Sequence, residues 1–448
     1  MSCLTSSTRA ESWFKNQSIP ERGAHQIRID QKLWYTFKLS DSGAFNMAIT
    51  RLVLVLNAGS SSLKFCLVEE AHHSIVLDGI AECLHSAEAS LRLSGLVNQQ
   101  TNIAQADTEA AVIQVLTILE QHELLPLIVA VGHRVVHGGE QFRSSTRIDT
   151  SSLKAIEDCS TLAPLHNPAN LAGIYACYTR LPNCPQIAVF DTAFHHSLPP
   201  SAFLYGVPWQ WYQQQGVRRY GFHGTNHRYV ALQAASILQR PLTELALISA
   251  HLGNGCSACA ILNGESRDTT MGLTPLEGLI MGTRCGDIDP GLPHYLARTY
   301  GWTLDEIHEQ LNSHSGLLGV SELSNDMRAL EHAAREGHVG AQRAIDLFCY
   351  RLAKSIAALI VALGRVDGLI FTGGIGEHSS LIRAKTLQQL AFLGLFVDAE
   401  KNVLHGASSE GFIHARNSHP ILVIAANEEL MIAQDTFKLL DNTHREQP

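Results

Sequence analysis

The chain has 448 residues, 45% of them hydrophobic and 17% charged, with a formal net charge of −9. That length supports two soluble domains with substantial cores, and an acidic balance without a basic block argues against a dedicated nucleic-acid binder. No apolar run is long enough to span a membrane, since the richest stretch, around Ile345 to Leu363, carries Asp346, Arg351 and Lys354.

The ten cysteines are scattered, which fits a reducing, cytoplasmic setting. One Cys-x-x-Cys occurs, at Cys256 and Cys259, and without a second pair it reads as packing rather than as a zinc or redox motif. Residues 1–46 are rich in polar residues with isolated aromatics and no sustained periodicity. They read as an N-terminal extension, disordered or a mis-called start, with Met47 standing just before the first core strand.

From there the elements follow in order. Leu52 to Leu56 is a run of five apolar residues, a buried strand. A turn of small residues, Gly59-Ser60-Ser61-Ser62, leads into a second apolar run after Lys64. Such a turn brings backbone N–H groups and hydroxyls close to a phosphate, although an ordinary serine-rich hairpin would look the same. Strands are expected at 74–83 and 89–96, an amphipathic helix at 108–122, and a strand at 127–136 that runs into His133-Arg134-Val135-Val136-His137-Gly138-Gly139. Arg134 interrupts an apolar run, which suits a cleft rim more than a solvated turn. A proline-bracketed loop around Leu165 precedes a helix at 169–181. The strand 186–190 then ends in Asp191, followed by His195 and His196, neighbours that point opposite ways and so read as structural.

The segment Tyr220-Gly221-Phe222-His223-Gly224-Thr225-Asn226 precedes a helix to Leu238, with Thr225 or Asn226 as its cap and anions expected near His223. Leu247 to Leu262 then repeats the opening pattern: an apolar strand, a Gly-Asn-Gly turn and a second apolar strand. Gly59 and Gly253 stand 194 residues apart in a 398-residue stretch, which implies two similar halves facing one cleft. A glycine-threaded loop spans 268–290, too long for a plain connection. A long helix with a buried stripe from Ile345 to Leu363 follows. The strand 368–371 enters a third glycine turn at Gly373, and the strand 421–424 leads to Glu428 at a strand–helix junction, a place suited to holding a cation.

Together these segments resemble the acetokinase family, within the actin, hexokinase and sugar-kinase superfamily. The motifs that carry the resemblance are LNAGSSSLK at 56–64, GHRVVHGG at 132–139, APLHNP at 163–168, FDTAFH at 190–195, YGFHGT at 220–225 and HLGNG at 251–255. TPLEGLIMGTRCGDIDPG at 274–291, GGIGE at 373–377 and ANEEL at 426–430 complete the set. They run in the family's order from about residue 51 to residue 440.

The resemblance implies an α/β fold: two similar domains of the actin-like ATPase, ribonuclease H-like type, with the active site in the interdomain cleft. The first domain would span 47–192, completed by a C-terminal helix at 430–445, and the second 193–429. It also implies reversible phosphoryl transfer between ATP and acetate, with Mg2+ (Mn2+ as the alternative ion), small-molecule substrates and a homodimer. Asp191, His223 and Arg284 would be the catalytic residues. Arg134 would bind the acyl substrate, with Val136, Leu165, Phe222 and Pro275 walling its methyl pocket.

The nucleotide would meet Ser60, Ser62 and Lys64, then His251, Leu252, Gly253, Asn254 and Gly255. It would also meet Asp326, Met327 and Arg328, and Gly374, Ile375, Gly376, Glu377 and His378. Asn57 and Glu428 would hold the metal. Two positions depart from the family pattern: His378 stands where Asn is frequent, and Asn226 where Ser is usual. Both flank the site. The rival readings are a propionate or butyrate kinase of the same family, a non-catalytic actin-like nucleotide clamp, and a metallohydrolase drawing on the 23 dispersed histidines.

Overall fold

The computed structural model describes residues 25–29, 33–39, 45–49, 51–59, 61–164 and 166–445. Strands β1 (His25–Ile29), β2 (Leu33–Leu39) and β3 (Phe45–Ile49) pair antiparallel in that order, where the sequence shows no sustained periodicity. They belong to a unit distinct from Leu52–Pro448, and the rest of the fold is that second unit.

The apolar run at residue 52 forms β4 (Leu52–Ala58), and the small-residue turn returns it as β5 (Leu63–Glu69). The turn is closed by the Gly59 N–H, which donates to the Ser62 carbonyl at 2.7 Å. Next come β6 (Ser74–Glu82), β7 (Ser90–Gly95) and β8 (Gln99–Asn102), the last a short polar strand that hydrophobic patterning does not mark. After the helix Thr108–Gln121, a single turn at Leu125–Leu127 containing Pro126 delays β9 to Ile128–Val135. With β10 (Thr146–Arg147) and β11 (Gln186–Phe190) the sheet order is β10-β11-β9-β4-β5-β6-β7-β8.

The second sheet holds β12 (Ala246–Leu252), β13 (Cys256–Leu262), β14 (Glu265–Thr269), β15 (Gly368–Thr372) and β16 (Ile421–Val423), in the order β14-β13-β12-β15-β16. This repeats the stretch β6-β5-β4-β9-β11 of the first sheet strand for strand. In both, three antiparallel strands are followed by two that run parallel to the first of them. The repeat read from the two hairpins therefore extends to five strands of each sheet.

Each sheet is covered on both faces, which is why its central strands read as unbroken apolar runs. On the first, Leu54, Leu56 and Leu67 pack under the helix 108–121, while Val53, Val55 and Ala130 meet Ile432, Ala433 and Phe437 of the closing helix Glu428–Arg445. On the second, Ile248, Ala250 and Ala258 face the long helix Val339–Leu363, and Leu247, Cys259 and Ile261 face the helix Gly224–Ile237. Cys256 and Cys259 fall on opposite faces, and burial pushes both thiols up to about 12, so packing accounts for the pair. No helix among the described residues is long and apolar enough to cross a membrane.

Candidate active site

Three parallel strands, β4, β9 and β11, deliver their carboxyl ends to one edge of the first sheet, where ligands of α/β folds gather. There Arg134 donates through Nε to Asp191 Oδ1 at 2.9 Å, through Nη2 to Asp191 Oδ2 at 2.6 Å, and through Nη1 to Asn57 Oδ1 at 3.0 Å. Asp191 is buried, and this bidentate fork compensates its charge. Burial opposes the charge on Arg134, but Asp191 and then Glu428 overcome it and push the guanidinium above its ordinary range.

The strand ends are clamped by two asparagines at the start of the helix Asn167–Arg180. Asn170 Oδ1 accepts the Val136 N–H at 3.0 Å while its Nδ2 donates to the Ala58 carbonyl at 2.7 Å. Asn167 Oδ1 accepts the His137 N–H at 3.1 Å, and its Nδ2 donates to the His137 carbonyl at 3.0 Å. Sequence reasoning passed over both asparagines; their i, i+3 spacing at a proline-marked helix start was the available signal.

His223 sits opposite. It is the residue before the helix 224–237 and adopts a left-handed backbone with φ 57°, so neither Thr225 nor Asn226 is the cap. Instead the Gly224 N–H donates to the Asp191 carbonyl at 3.0 Å, tying this helix to the end of β11. His195 pins the preceding loop, its Nε2 donating to the Phe222 carbonyl at 3.0 Å and its Nδ1 accepting from Ser266 Oγ at 2.8 Å, a structural role.

The His223 ring stacks on His251 with centroids 4.3 Å apart, and its Nδ1 lies 2.9 Å from Ser257 Oγ. Burial, then the neighbouring His251 and Arg134, hold His223 neutral well below the ordinary imidazole range. Burial and Arg134 push His251 down to about 4. Asn226 uses its amide to donate to His251 Nδ1 at 2.8 Å, which leaves the His251 proton on Nε2.

Arg284 donates from Nη1 to the Pro275 carbonyl at 2.7 Å. A Cβ built on Gly255 would stand 3.2 Å from Arg284 Nη2 and 3.4 Å from His223 Nε2, so the two side chains converge where only a glycine leaves them room. His166 is pushed down to about 4 by burial and by both Arg134 and Arg284, which places a further imidazole near the two arginines. The sequence reading had only its motif, not this role.

A cleft of about 520 Å³ lies between these groups. Asn57, Ser62, Lys64 and Arg134 line it from the first sheet, and His223, His251, Gly253, Asn254 and Gly255 from the second. Gly374, Glu377, Glu428 and the unanticipated Glu429 also line it. An adjoining cavity of about 460 Å³ shares Gly253, Asn254 and Gly374 and adds Asp326, Met327, Arg328, Ile375 and His378. Asp326 and Arg328 pair with each other at 2.7 Å on its rim. Burial and the nearby Asp191 and Glu429, against Arg134 and Lys64, raise the Glu428 carboxyl above its ordinary range.

Seven expected site residues line neither cavity: Asp191 is held by the Arg134 fork, Arg284 and Pro275 are bonded to each other, and Leu252, Val136, Phe222 and Gly376 stand back. Leu252, Val136 and Phe222 are buried in the core, and Gly376 packs beneath the third glycine turn. Strand alternation turns the Leu252 side chain toward the long helix. The Leu252 carbonyl abuts Gly373, 2.8 Å from where a Cβ there would sit. Ser60 and Leu165 lie outside the described residues.

Residues 52–434 match the model of the acetokinase family. An acetate kinase of Ectopseudomonas mendocina is 54% identical over 392 residues, covering 87% of this chain and 99% of the relative. An acetate kinase of Deinococcus radiodurans is 53% identical, covering 86% and 96%. Among solved structures, a propionate kinase from Francisella tularensis aligns with a TM-score of 0.82 at 43% identity, over 86% of this chain and 98% of that one. Porphyromonas gingivalis acetate kinase aligns with a TM-score of 0.80 at 39% identity, over 87% and 100%.

Proposed function

The chain belongs to the acetokinase family, and on that premise we propose that it transfers a phosphoryl group reversibly between ATP and acetate, giving acetyl phosphate and ADP. It is a phosphotransferase with a carboxyl group as acceptor. The observation that carries the reading is that Arg134 and His223 line one cleft while Arg284 meets His223 at Gly255 on its glycine-lined turn. A nucleotide clamp has no use for such a group of positive and donor side chains, whereas an acyl carboxylate meeting a phosphoryl group needs it.

Phosphoryl transfer to a carboxylate needs little covalent help, since the carboxylate is itself the nucleophile; alignment and charge neutralisation dominate. Asp191 and Asn57 hold the Arg134 fork in one orientation and leave N–H groups on its Nη1–Nη2 edge for the acyl carboxylate. Asp191 acts here as the orienting carboxylate. Arg284 supplies charge and neutral His223 a hydrogen bond to the migrating phosphoryl group, both directed at the point that Gly255 keeps open. Lys64, Ser62 and the turn 253–255 meet the phosphates, and the 460 Å³ cavity receives the nucleoside.

The donors suit Mg2+. Glu428 and the Asn57 amide oxygen give one carboxylate and one neutral oxygen, the partial set this ion accepts when phosphates and water complete its shell. Among the described residues no three His, Cys, Asp or Glu side chains form a cage, which such an ion does not require. When bound, it would neutralise charge on the phosphate oxygens.

Residues 47–192 with 430–445 form one lobe and 193–429 the other in this reading, and the enzyme works in the cytoplasm as a homodimer. The exposed Tyr295, Tyr300, Trp302 and Leu304 support a surface that a second copy covers.

The test is a hydroxamate assay for acyl phosphate, with ATP, Mg2+ and a panel of short acids. Acetate is expected to give the highest kcat/KM, with propionate used less well. Nucleotide binding without acyl phosphate from any acid would return the clamp reading, and a propionate optimum would move the enzyme to the family's propionate branch.

A further inference from the structure

Behind His223 runs a chain of buried side chains that do not themselves line the cleft. Ser249 and His251 share one face of β12, and Ser257 opposite His251 on β13 shares it too. The helix 224–237 lays His227 across that face. Its Nδ1 lies 2.8 Å from Ser249 Oγ and its Nε2 lies 2.8 Å from Ser257 Oγ, and Ser257 Oγ in turn reaches His223 Nδ1 at 2.9 Å. Ser249, His227 and Ser257 are fully buried.

We propose that Ser249, His227 and Ser257 are positioning residues that fix the tautomer of His223, holding its single ring proton on Nε2 and aimed into the cleft. The inference rests on the role given above to His223 as a hydrogen-bond donor to the migrating phosphoryl group.

The direction of the chain follows from its far end. Ser249 Oγ has one side-chain partner among the described residues, His227 Nδ1. A buried hydroxyl whose proton goes nowhere loses the full desolvation cost of that donor, so Ser249 donates to His227 Nδ1. Burial and neighbouring histidines keep His227 neutral, with one ring proton, which then sits on Nε2 and is donated to Ser257 Oγ. The Ser257 hydroxyl, having accepted there, donates to His223 Nδ1. His223 is likewise neutral, and its proton is left on Nε2. The reverse polarity strands the Ser249 proton and turns a bare nitrogen lone pair toward phosphoryl oxygens. Every donor in the first arrangement is used, and the second fails at both ends.

The experiment is 15N NMR of the full-length protein labelled at histidine, with the His223 resonances identified by their loss in His223→Gln. The expected spectrum has His223 Nδ1 unprotonated and Nε2 protonated. A protonated Nδ1 overturns the proposal, whatever the enzyme's substrate. Ser249→Ala removes the polarity and is expected to raise Nδ1 protonation and lower kcat by about twofold with both KM values unchanged, since equalising two tautomers removes half of the competent form. Ser249→Thr, which keeps the hydroxyl, is expected to restore both.

In a His223→Ala background Ser249→Ala should slow nothing further; an equal slowing there assigns Ser249 a packing role and sinks the idea. If Ser249→Ala does not fold, the wild-type spectrum still decides. The spectrum reads the tautomer independently of the hydroxamate assay, so failure of the relay and failure of the proposed reaction are separately visible.

Discussion

Arg284 makes its one side-chain hydrogen bond to a backbone carbonyl and pairs with no carboxylate among the described residues. Burial lowers its pKa and no described carboxylate neutralises it, so its charge is kept for something that arrives. Arg284→Ala is expected to lower kcat by about 10²- to 10³-fold, the usual cost of one transition-state contact, with the melting temperature little changed. Near-normal turnover in a folded variant would remove Arg284 from the mechanism.

Val136 belongs to the same scale. It is buried beside Phe222, and trimming it to Ala opens room for about one more methylene, worth roughly 1–3 kcal/mol in an apolar pocket. Val136→Ala should therefore shift the ratio of kcat/KM for propionate over acetate upward, mainly by improving propionate. An unchanged ratio would mean that the acyl group lies elsewhere. Both arginines and His223 were visible in the sequence as special residues in apolar or glycine-rich company. Their supports were not: Asn167, Asn170, Ser249 and Ser257 are ordinary polar residues whose roles exist only once distant strands meet.

At the scale of elements, the helix 224–237 shows what patterning can and cannot find. Its existence and its end near Leu238 follow from sequence, but its start does not, because a left-handed His223 is fixed by tertiary contacts rather than by a capping residue. The same helix is docked on β11 with no space to spare. A Cβ on Gly224 would fall 2.3 Å from the Asp191 carbonyl oxygen and 2.9 Å from the Phe194 Cβ. Backbone cannot yield as a side-chain tip does, so Gly224→Ala should displace the helix start and with it His223, Asn226 and His227.

The expected result is a loss of about 1–3 kcal/mol in urea unfolding together with a fall in kcat larger than that of Arg284→Ala. Wild-type stability and activity in Gly224→Ala would show that the contact is not tight in solution. The hairpins β4–β5 and β12–β13, by contrast, were legible from the chain alone. Both strands of each lie in a sheet covered on two faces, and such strands need no alternation to be recognised.

At the scale of the whole molecule, the histidines set how the fold responds to acid. Burial pushes His133, His137, His195 and His251 each down to about 4, whereas in the unfolded chain they titrate near 6.5. Between those values the unfolded state binds more protons, so stability rises with pH there. This contribution is whole above about pH 6.5 and is lost as pH falls toward 4. At pH 5 each of these histidines costs up to about 2 kcal/mol, and a few together approach the entire stability of a typical domain. The urea midpoint should thus be level from pH 8 to 7 and fall steadily below 6. Burial and its cationic neighbours lower the His223 pKa well below the ordinary imidazole range, which favours its neutral hydrogen-bonding form. A flat urea midpoint down to pH 5 would mean that the buried imidazoles take up protons without unfolding.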